Sequence, residues 1–380
     1  MERFALSRMK EWKENENRKP LIIRGARQVG KTWIMKTFGQ QYFEKTAYVN
    51  FDNNARMKQV FEGDLDIERL VLSISAETGV SIEAENTLII FDEVQEVPKA
   101  LTSLKYFYEN APQYAIVAAG SLLGVALHQG TSFPVGKVDF LDLYPLNFRE
   151  FLCAMGEKQF VSMLDSCDTQ MVTVFKTKYI ERLREYYFVG GMPEVVKDFS
   201  EKKDYNRVRA IQKNLINYYQ QDFSKHAEIK LVPRLNLVWN SIPMQLAKEN
   251  KKYIYGQVRE GSRAKDFELA IQWLLDCGLI HKVQRIQKPD LPLKAYIDFD
   301  AFKLFLVDIG LLIAMTDLDA KVIIEGNKIF TEFKGALTEQ YILQQLISDV
   351  GVIPYYYSTQ NSKGEIDFLV QGKTSVIPIE

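Results

Sequence analysis

Cysteine and histidine are scarce in this 380-residue sequence, with three of each. Cys153, Cys167 and Cys277 are odd in number and far apart, so they provide neither a disulfide framework nor a zinc knuckle. Free thiols fit a reducing compartment. His128, His226 and His281 each stand alone, which gives no basis for a metal centre built on imidazoles. Long apolar runs are missing too. None approaches the ~20 residues needed to cross a bilayer. The longest stretch, Tyr114 to Leu127, is broken by Gly120, Ser121 and Gly124 and reads as a buried strand running into a helix. The N-terminus has no secretory pattern. The expectation is a cytoplasmic protein with no membrane partner. Charge of one sign is also lacking: 48 Lys and Arg face 49 Asp and Glu, a formal net charge of -1. The whole-chain field therefore gives no argument for nucleic acid. A local excess exists between Lys248 and Lys288, nine basic against five acidic residues, and on charge alone it reads as a solvated face.

What the sequence does have is apolar bulk, 47% of its residues, with 23 Phe and 19 Tyr to fill cores. Its length predicts two or three domains rather than one core. Near the N-terminus, Phe4, Leu6, Met9 and Trp12 recur at helical spacing. Short apolar runs then read as buried strands at Leu21–Ile23, Ala47–Phe51, Thr87–Phe91 and Ala115–Ala119. Helical segments separate them, the pattern of a parallel α/β sheet. One helix should run from Lys31 to about Phe38 and stop at Gly39. From about 145 to 225 the pattern is helical and aromatic. Short helices follow to about 300, with a strand beginning near Gly278. The last stretch reads as a helix over about 334–348 and strands around Tyr355–Tyr357, Ile366–Val370 and Ser375–Ile379. No internal repeat or low-complexity linker interrupts it.

Between the first strand and its helix lies Gly25-Ala26-Arg27-Gln28-Val29-Gly30-Lys31-Thr32, which fits G-x-x-x-x-G-K-[ST] at every fixed position. The strand–loop–helix order is the context the motif requires. Gly25 and Gly30 allow a tight turn whose amide N–H groups point at phosphate oxygens. The helix N-terminus adds positive partial charge. Lys31 reaches the β and γ phosphates as a point charge, and the Thr32 hydroxyl can ligand Mg2+. Gly25 to Thr32 together with Trp33 are the expected ATP-binding residues. Arg24 and Arg27 flank the loop, where surface salt bridges explain them at least as well as phosphate contacts.

A second motif ends the third strand: Leu88-Ile89-Ile90-Phe91 leads to Asp92-Glu93. In a parallel sheet the strand C-termini line the ligand crevice. Asp92 would hold Mg2+, and Glu93 would orient or activate the attacking water. A lone strand ending in Asp-Glu usually means a solvated loop, but downstream of a full phosphate loop it gains meaning. Ser121, after the fourth strand, fits either a γ-phosphate contact or a helix N-cap.

The order of strings along the chain resembles a prokaryotic family of AAA-type P-loop ATPases. It rests on Trp12-Lys13, Pro20 to Thr32, Phe91-Asp92-Glu93-Val94-Gln95 and Ser132-Phe133-Pro134-Val135-Gly136-Lys137. Further on it rests on Leu143 to Phe151, Gly190-Gly191-Met192-Pro193-Glu194-Val195 and Leu306-Val307-Asp308-Ile309-Gly310-Leu311-Leu312. The resemblance implies a P-loop ATPase domain over 1–150, a helical segment over 151–225, a winged-helix-like segment over 226–300 and a restriction-endonuclease-like α+β domain over 301–380. It also implies adenine preference. Such ATPases often complete their site with an arginine from a neighbouring subunit, so oligomerisation is part of the expectation. Arg149 is the candidate finger, with a structural salt bridge the rival reading. Lys137 stands where the family often carries Arg and is a poorer bidentate partner for phosphate.

Within 226–300, Phe267, Ala270, Ile271, Leu274 and Leu275 form a helical apolar stripe and belong to a core. Arg259, Arg263 and Lys265 sit where a winged helix meets DNA, although such folds also dock proteins. In the last domain, Glu339, Asp367 and Glu380 resemble an acidic core that gathers Mg2+ for phosphodiester cleavage. A lysine follows two residues after the last acid in that pattern, and this sequence ends at Glu380. The expectation is therefore structural carboxylates, in a domain that is either cut short or a remnant, with nuclease activity the weaker alternative. The main expectation for the chain is Mg-dependent ATP hydrolysis driving or gating a DNA or protein partner. Its rival is an ATP-dependent binding switch with little turnover.

Overall fold

The computed structural model describes residues 1–120, 133–248, 252–325, 331–359 and 364–380. They form two compact units, one of residues 3–144 and one of residues 145–380 with 1–2. Among the described residues no helix is long and apolar enough to cross a membrane.

The first unit is an α/β layer structure around a five-stranded sheet. Its strands are β1 (Leu21–Arg24), β2 (Lys45–Asn50), β3 (Thr87–Asp92), β4 (Ala115–Ala119) and β5 (Asp139–Asp142), in the order β2-β3-β4-β1-β5. Every pairing is parallel. All strand C-termini therefore emerge at one edge, with β4 between β1 and β3. Every residue of β3 and β4 is buried, which is why both read as unbroken apolar runs. The helices are α1 (Ala5–Glu14), α2 (Lys31–Tyr42), α3 (Ala55–Glu62), α4 (Ile67–Thr78) and α5 (Pro98–Asn110). Local signals set their ends. The Asp66 side chain accepts from Arg69 N–H to start α4, left-handed Gly79 closes it, and Pro98 opens α5. Phe51, Phe61 and Phe91 meet edge to face, with centroids 5.4 to 5.7 Å apart, at the centre of the core.

Two local readings change. Gly39 does not stop α2, which continues to Tyr42. Gly39 is buried, and a Cβ there would sit 2.4 Å from Thr46 Oγ1, so it serves close helix–strand packing instead. The strand β5, absent from the sequence reading, lies at the sheet edge and holds Phe140 and Leu141 between two aspartates.

The second unit is mostly helical up to Asp276 and then builds a second five-stranded sheet. Its strands are β6 (Ile280–Ile286), β7 (Ile297–Leu306), β8 (Tyr355–Ser358), β9 (Glu365–Gln371) and β10 (Val376–Ile379), in the order β10-β9-β8-β6-β7. Only β6 and β8 run parallel. The longest helix, Tyr205–His226, buries Val208, Leu215, Tyr219 and Phe223 at heptad-like intervals.

Three sequence strings converge in this unit on one buried carboxylate. Asp308, fully buried, accepts hydrogen bonds from Gly191 N–H at 2.6 Å, Leu311 N–H at 3.1 Å and Gln344 Nε2 at 3.3 Å. Leu146 N–H donates to Gly191 O at 2.7 Å, and Tyr186 Oη donates to Leu146 O at 2.6 Å. The glycines are there for space: a Cβ on Gly190 would lie 2.2 Å from Asp308 Oδ1, and one on Gly191 would lie 2.1 Å from Leu146 O. Burial pushes the Asp308 carboxyl up to about 6, against the lowering pull of its donors. A folded pKa above the unfolded ~3.9 means that the folded state holds the extra proton. This group's contribution is thus most favourable in acid and is lost as pH rises from ~4 through ~6. The Asp308→Asn variant lacks that titration. The stability of the native chain minus that of the variant should fall by ~3 kcal/mol across this window, read from urea unfolding at a series of pH values.

Candidate functional site

The phosphate loop follows β1 at the C-terminal edge of the first sheet and opens α2. Its backbone needs positive φ at Gly25 (145°), Gln28 (67°) and Gly30 (95°). At Gly25 a side chain is excluded twice over, since a Cβ would also lie 2.1 Å from Leu143 O. Lys31, 8% exposed, donates from Nζ to Gly25 O at 2.9 Å and Ala26 O at 2.8 Å, so its ammonium lies inside the loop. Arg3 buttresses the loop from outside. Nearly buried, it donates to Val29 O at 3.1 Å and Tyr144 O at 2.6 Å.

β3 brings Asp92 to the same edge, 3% exposed. Thr32 Oγ1 donates to Asp92 Oδ2 at 2.7 Å, which joins the two motifs directly. Tyr48 Oη donates to the same oxygen at 2.9 Å, and Glu93 N–H donates to Asp92 Oδ1 at 3.1 Å. Burial and the neighbouring Asp92 charge hold the Tyr48 phenol well above its ordinary pKa, so it stays a donor. Glu93 takes a left-handed backbone (φ 51°, ψ 44°), uncommon for a residue with a side chain. Gln95 Nε2 donates to Glu93 Oε2 at 2.8 Å and restrains its carboxylate. Trp33, 41% exposed, stands at the start of α2 beside the loop.

The donor set of Thr32 and Asp92, two hard oxygens within hydrogen-bond distance of each other, fits a magnesium ion next to a phosphate chain. An ammonium inside a ring of loop amides and carbonyls suits the phosphates themselves. Arg24 is engaged elsewhere, in a bidentate pair with Asp142 at 2.8 and 2.9 Å. Arg27 is exposed. Lys137 pairs with Glu109 at 3.0 Å. Ser121 lies outside the described residues.

The remaining candidates lie in the second unit. Arg149 forms ion pairs with Asp165 and, at 3.0 Å, with Asp349. Glu339, 4% exposed, is bound by Lys303 Nζ at 3.1 Å, and the same ammonium meets Glu365 at 2.5 Å. Asp367 is half-buried, two residues beyond Glu365 on β9, and Glu380 is exposed just after β10. Among the described residues no group of three or more His, Cys, Asp or Glu is arranged to hold a metal ion.

Sequence reasoning singled out the loop and the acid pair, which the fold brings together through Thr32 and Asp92, but not Arg3, Tyr48, Gln95 as a restraint, or Lys303. Only Gln95 left a trace, as the last residue of the Phe91–Gln95 string.

Residues 17–152 match a family described as an AAA domain. Residues 180–322 and 334–380 match two families described as domains of unknown function, DUF8612 and DUF4143. No curated protein matches the chain. Among solved structures, a Walker-type ATPase of Pyrococcus abyssi superimposes with a TM-score of 0.51 at 15% identity, covering 83% of this chain and 95% of that one. The ORC1 protein of Aeropyrum pernix in complex with DNA gives 0.31 at 13% identity, covering 82% and 91%. The RuvB Holliday junction branch migration motor of Thermotoga maritima gives 0.31 at 10%, covering 73% and 87%. The domain match, the Pyrococcus likeness and the parallel sheet make the first unit an AAA-type P-loop fold, followed by helical and small α+β segments.

Proposed function

We propose that the first unit binds Mg–ATP at the phosphate loop and hydrolyses it to ADP and phosphate. The observation that carries this reading is the contact of Thr32 Oγ1 with Asp92 Oδ2 at 2.7 Å, beside the inward-held Lys31. A chance loop match would not bring a buried strand-end carboxylate to its threonine. In this reading Lys31 exchanges its two loop carbonyls for phosphate oxygens, a charge-assisted and therefore stronger contact. Thr32 and Asp92 hold magnesium, which when bound neutralises charge on the β and γ phosphates. Glu93, restrained by Gln95, aligns the attacking water and takes up its proton.

ATP titration of the native chain and of Lys31→Ala tests this. The variant should lose at least ~100-fold in affinity, since it removes a charged partner worth ~3 kcal/mol in such contacts. Unchanged ATP affinity in the variant would sink the assignment.

For the partner, the surface favours a protein over DNA. The helices Val232–Leu246, Tyr255–Val258 and Ala264–Asp276 followed by β6 and β7 support a winged-helix-like reading of 226–300. The helix Ala264–Asp276 carries one lysine against three carboxylates. Its exposed residues include Glu268, Gln272 and Leu269, the last 70% exposed. Carboxylates along that helix repel a phosphate backbone, whereas a bare leucine among polar neighbours suits a protein surface. Duplex DNA added to a phosphate-release assay of the native chain with ATP should therefore leave the rate unchanged.

A further inference from the structure

We propose that Tyr48 is a positioning residue for magnesium, holding the Asp92 carboxylate in the orientation in which it and Thr32 receive the ion together. The inference rests on the Mg–ATP reading above. It begins with strand register. Asn50 lies opposite Asp92 and Tyr48 opposite Ile90, on neighbouring parallel strands. Opposite residues share a sheet face, and so do residues two apart, so Tyr48 and Asp92 face the same way. They are two residues apart along the strands, about 6.6 Å at ~3.3 Å per residue. A tyrosine spans that gap with its hydroxyl. Phenylalanine would fill the space without bonding, and serine or threonine would fall short.

The ring is itself held in place. Lys36 follows Thr32 by four residues on α2, one turn later on the same helix face. Its Nζ lies 3.8 Å from the Tyr48 ring centroid, a cation–π contact over the ring. The phosphate-loop helix and β2 thus both fix the phenol. Asp92 then has three donors: Thr32 and Tyr48 on Oδ2 and the Glu93 amide on Oδ1. Three donors on two oxygens leave the carboxylate no freedom to rotate. When metal arrives, Thr32 can turn a lone pair to the ion and still donate its hydrogen to Asp92, with Tyr48 keeping that oxygen in register. Partners that orient a ligating carboxylate in this way typically matter 10- to 100-fold for metal affinity.

The test uses Tyr48→Phe, which removes a single oxygen from a half-buried residue. Mn2+ is titrated into the full chain with saturating ADP, and free Mn2+ is followed by electron paramagnetic resonance. ADP affinity is measured separately in EDTA. The expected result is about tenfold weaker Mn2+ binding in the variant, with ADP affinity in EDTA equal to that of the native chain. A merely structural tyrosine would lower both affinities or neither. Equal Mn2+ affinity in the two chains, or a parallel loss of ADP affinity, overturns the positioning role. A native chain that binds no ADP overturns the nucleotide reading and this inference with it, and the EDTA measurement tells that failure from the others.

Discussion

Glu93→Gln should bind ATP as tightly as the native chain and release phosphate about 10³-fold more slowly, within the range that a positioned general base contributes. The two halves of this expectation have separate physical origins. In the proposed reading affinity comes from the loop amides, Lys31 and the Thr32–Asp92 pair, none of which the substitution touches. Glutamine has the shape of glutamate, and its carbonyl oxygen can still accept from Gln95 Nε2, so the local backbone is undisturbed. What disappears is a carboxylate able to take a proton from water, and a 10³-fold loss corresponds to ~4 kcal/mol at the transition state. The left-handed backbone of Glu93 supports a dedicated role, because such conformations cost energy and persist where the surroundings over-determine them. Phosphate release and ATP binding measured on one preparation decide the matter. A parallel loss of affinity would mean that Glu93 holds the nucleotide. If the native chain binds ATP tightly and also fails to turn over, the binding switch becomes the better reading.

The loop and the acid pair were legible because their chemistry demands fixed residue types at fixed local spacing. β3 and β4 were legible because burial on both faces leaves the continuous apolar runs Leu88–Phe91 and Ala115–Ala119. β5 was not, since an edge strand with a solvated side reads as Asp-Phe-Leu-Asp, a turn-like mixture. β7 was missed for a different reason: its buried half contains Lys303, which breaks the apolar run that marks a core strand. Gly39 misled because glycine ends helices and also permits close packing, and only the distance to Thr46 separates the two. Tyr48 was beyond reach, for its role depends on the register of β2 against β3. The strings around Leu146, Gly190-Gly191 and Asp308 stood out as strings, yet that they share one hydrogen-bond network is a fact of tertiary structure.

Lys303→Met should destabilise the second unit by ~3–5 kcal/mol, the usual consequence of removing one partner from a buried ion pair. Lys303 has no exposed surface, and its ammonium lies 3.1 Å from Glu339 and 2.5 Å from Glu365, over the ring of Tyr356 at 4.8 Å. Burial alone pulls the lysine pKa down, but the two carboxylates outweigh it and the net shift is upward. The raised lysine pKa therefore contributes stability that is fully present below the ordinary lysine value of ~10.4 and is lost as pH rises through the folded pKa. Methionine fills the volume, so the loss is electrostatic: Glu339 stays buried without the Lys303 ammonium, while Glu365, about a third exposed, can turn to water. One consequence separates this from simple mispacking. The double variant Lys303→Met with Glu339→Leu should recover most of the stability, since well-packed apolar replacements of a buried pair are often neutral or better. Denaturant unfolding followed through Trp239 and Trp273, both buried in this unit, provides the readout. A double variant as unstable as the single one would show that Lys303 matters for its shape rather than its charge.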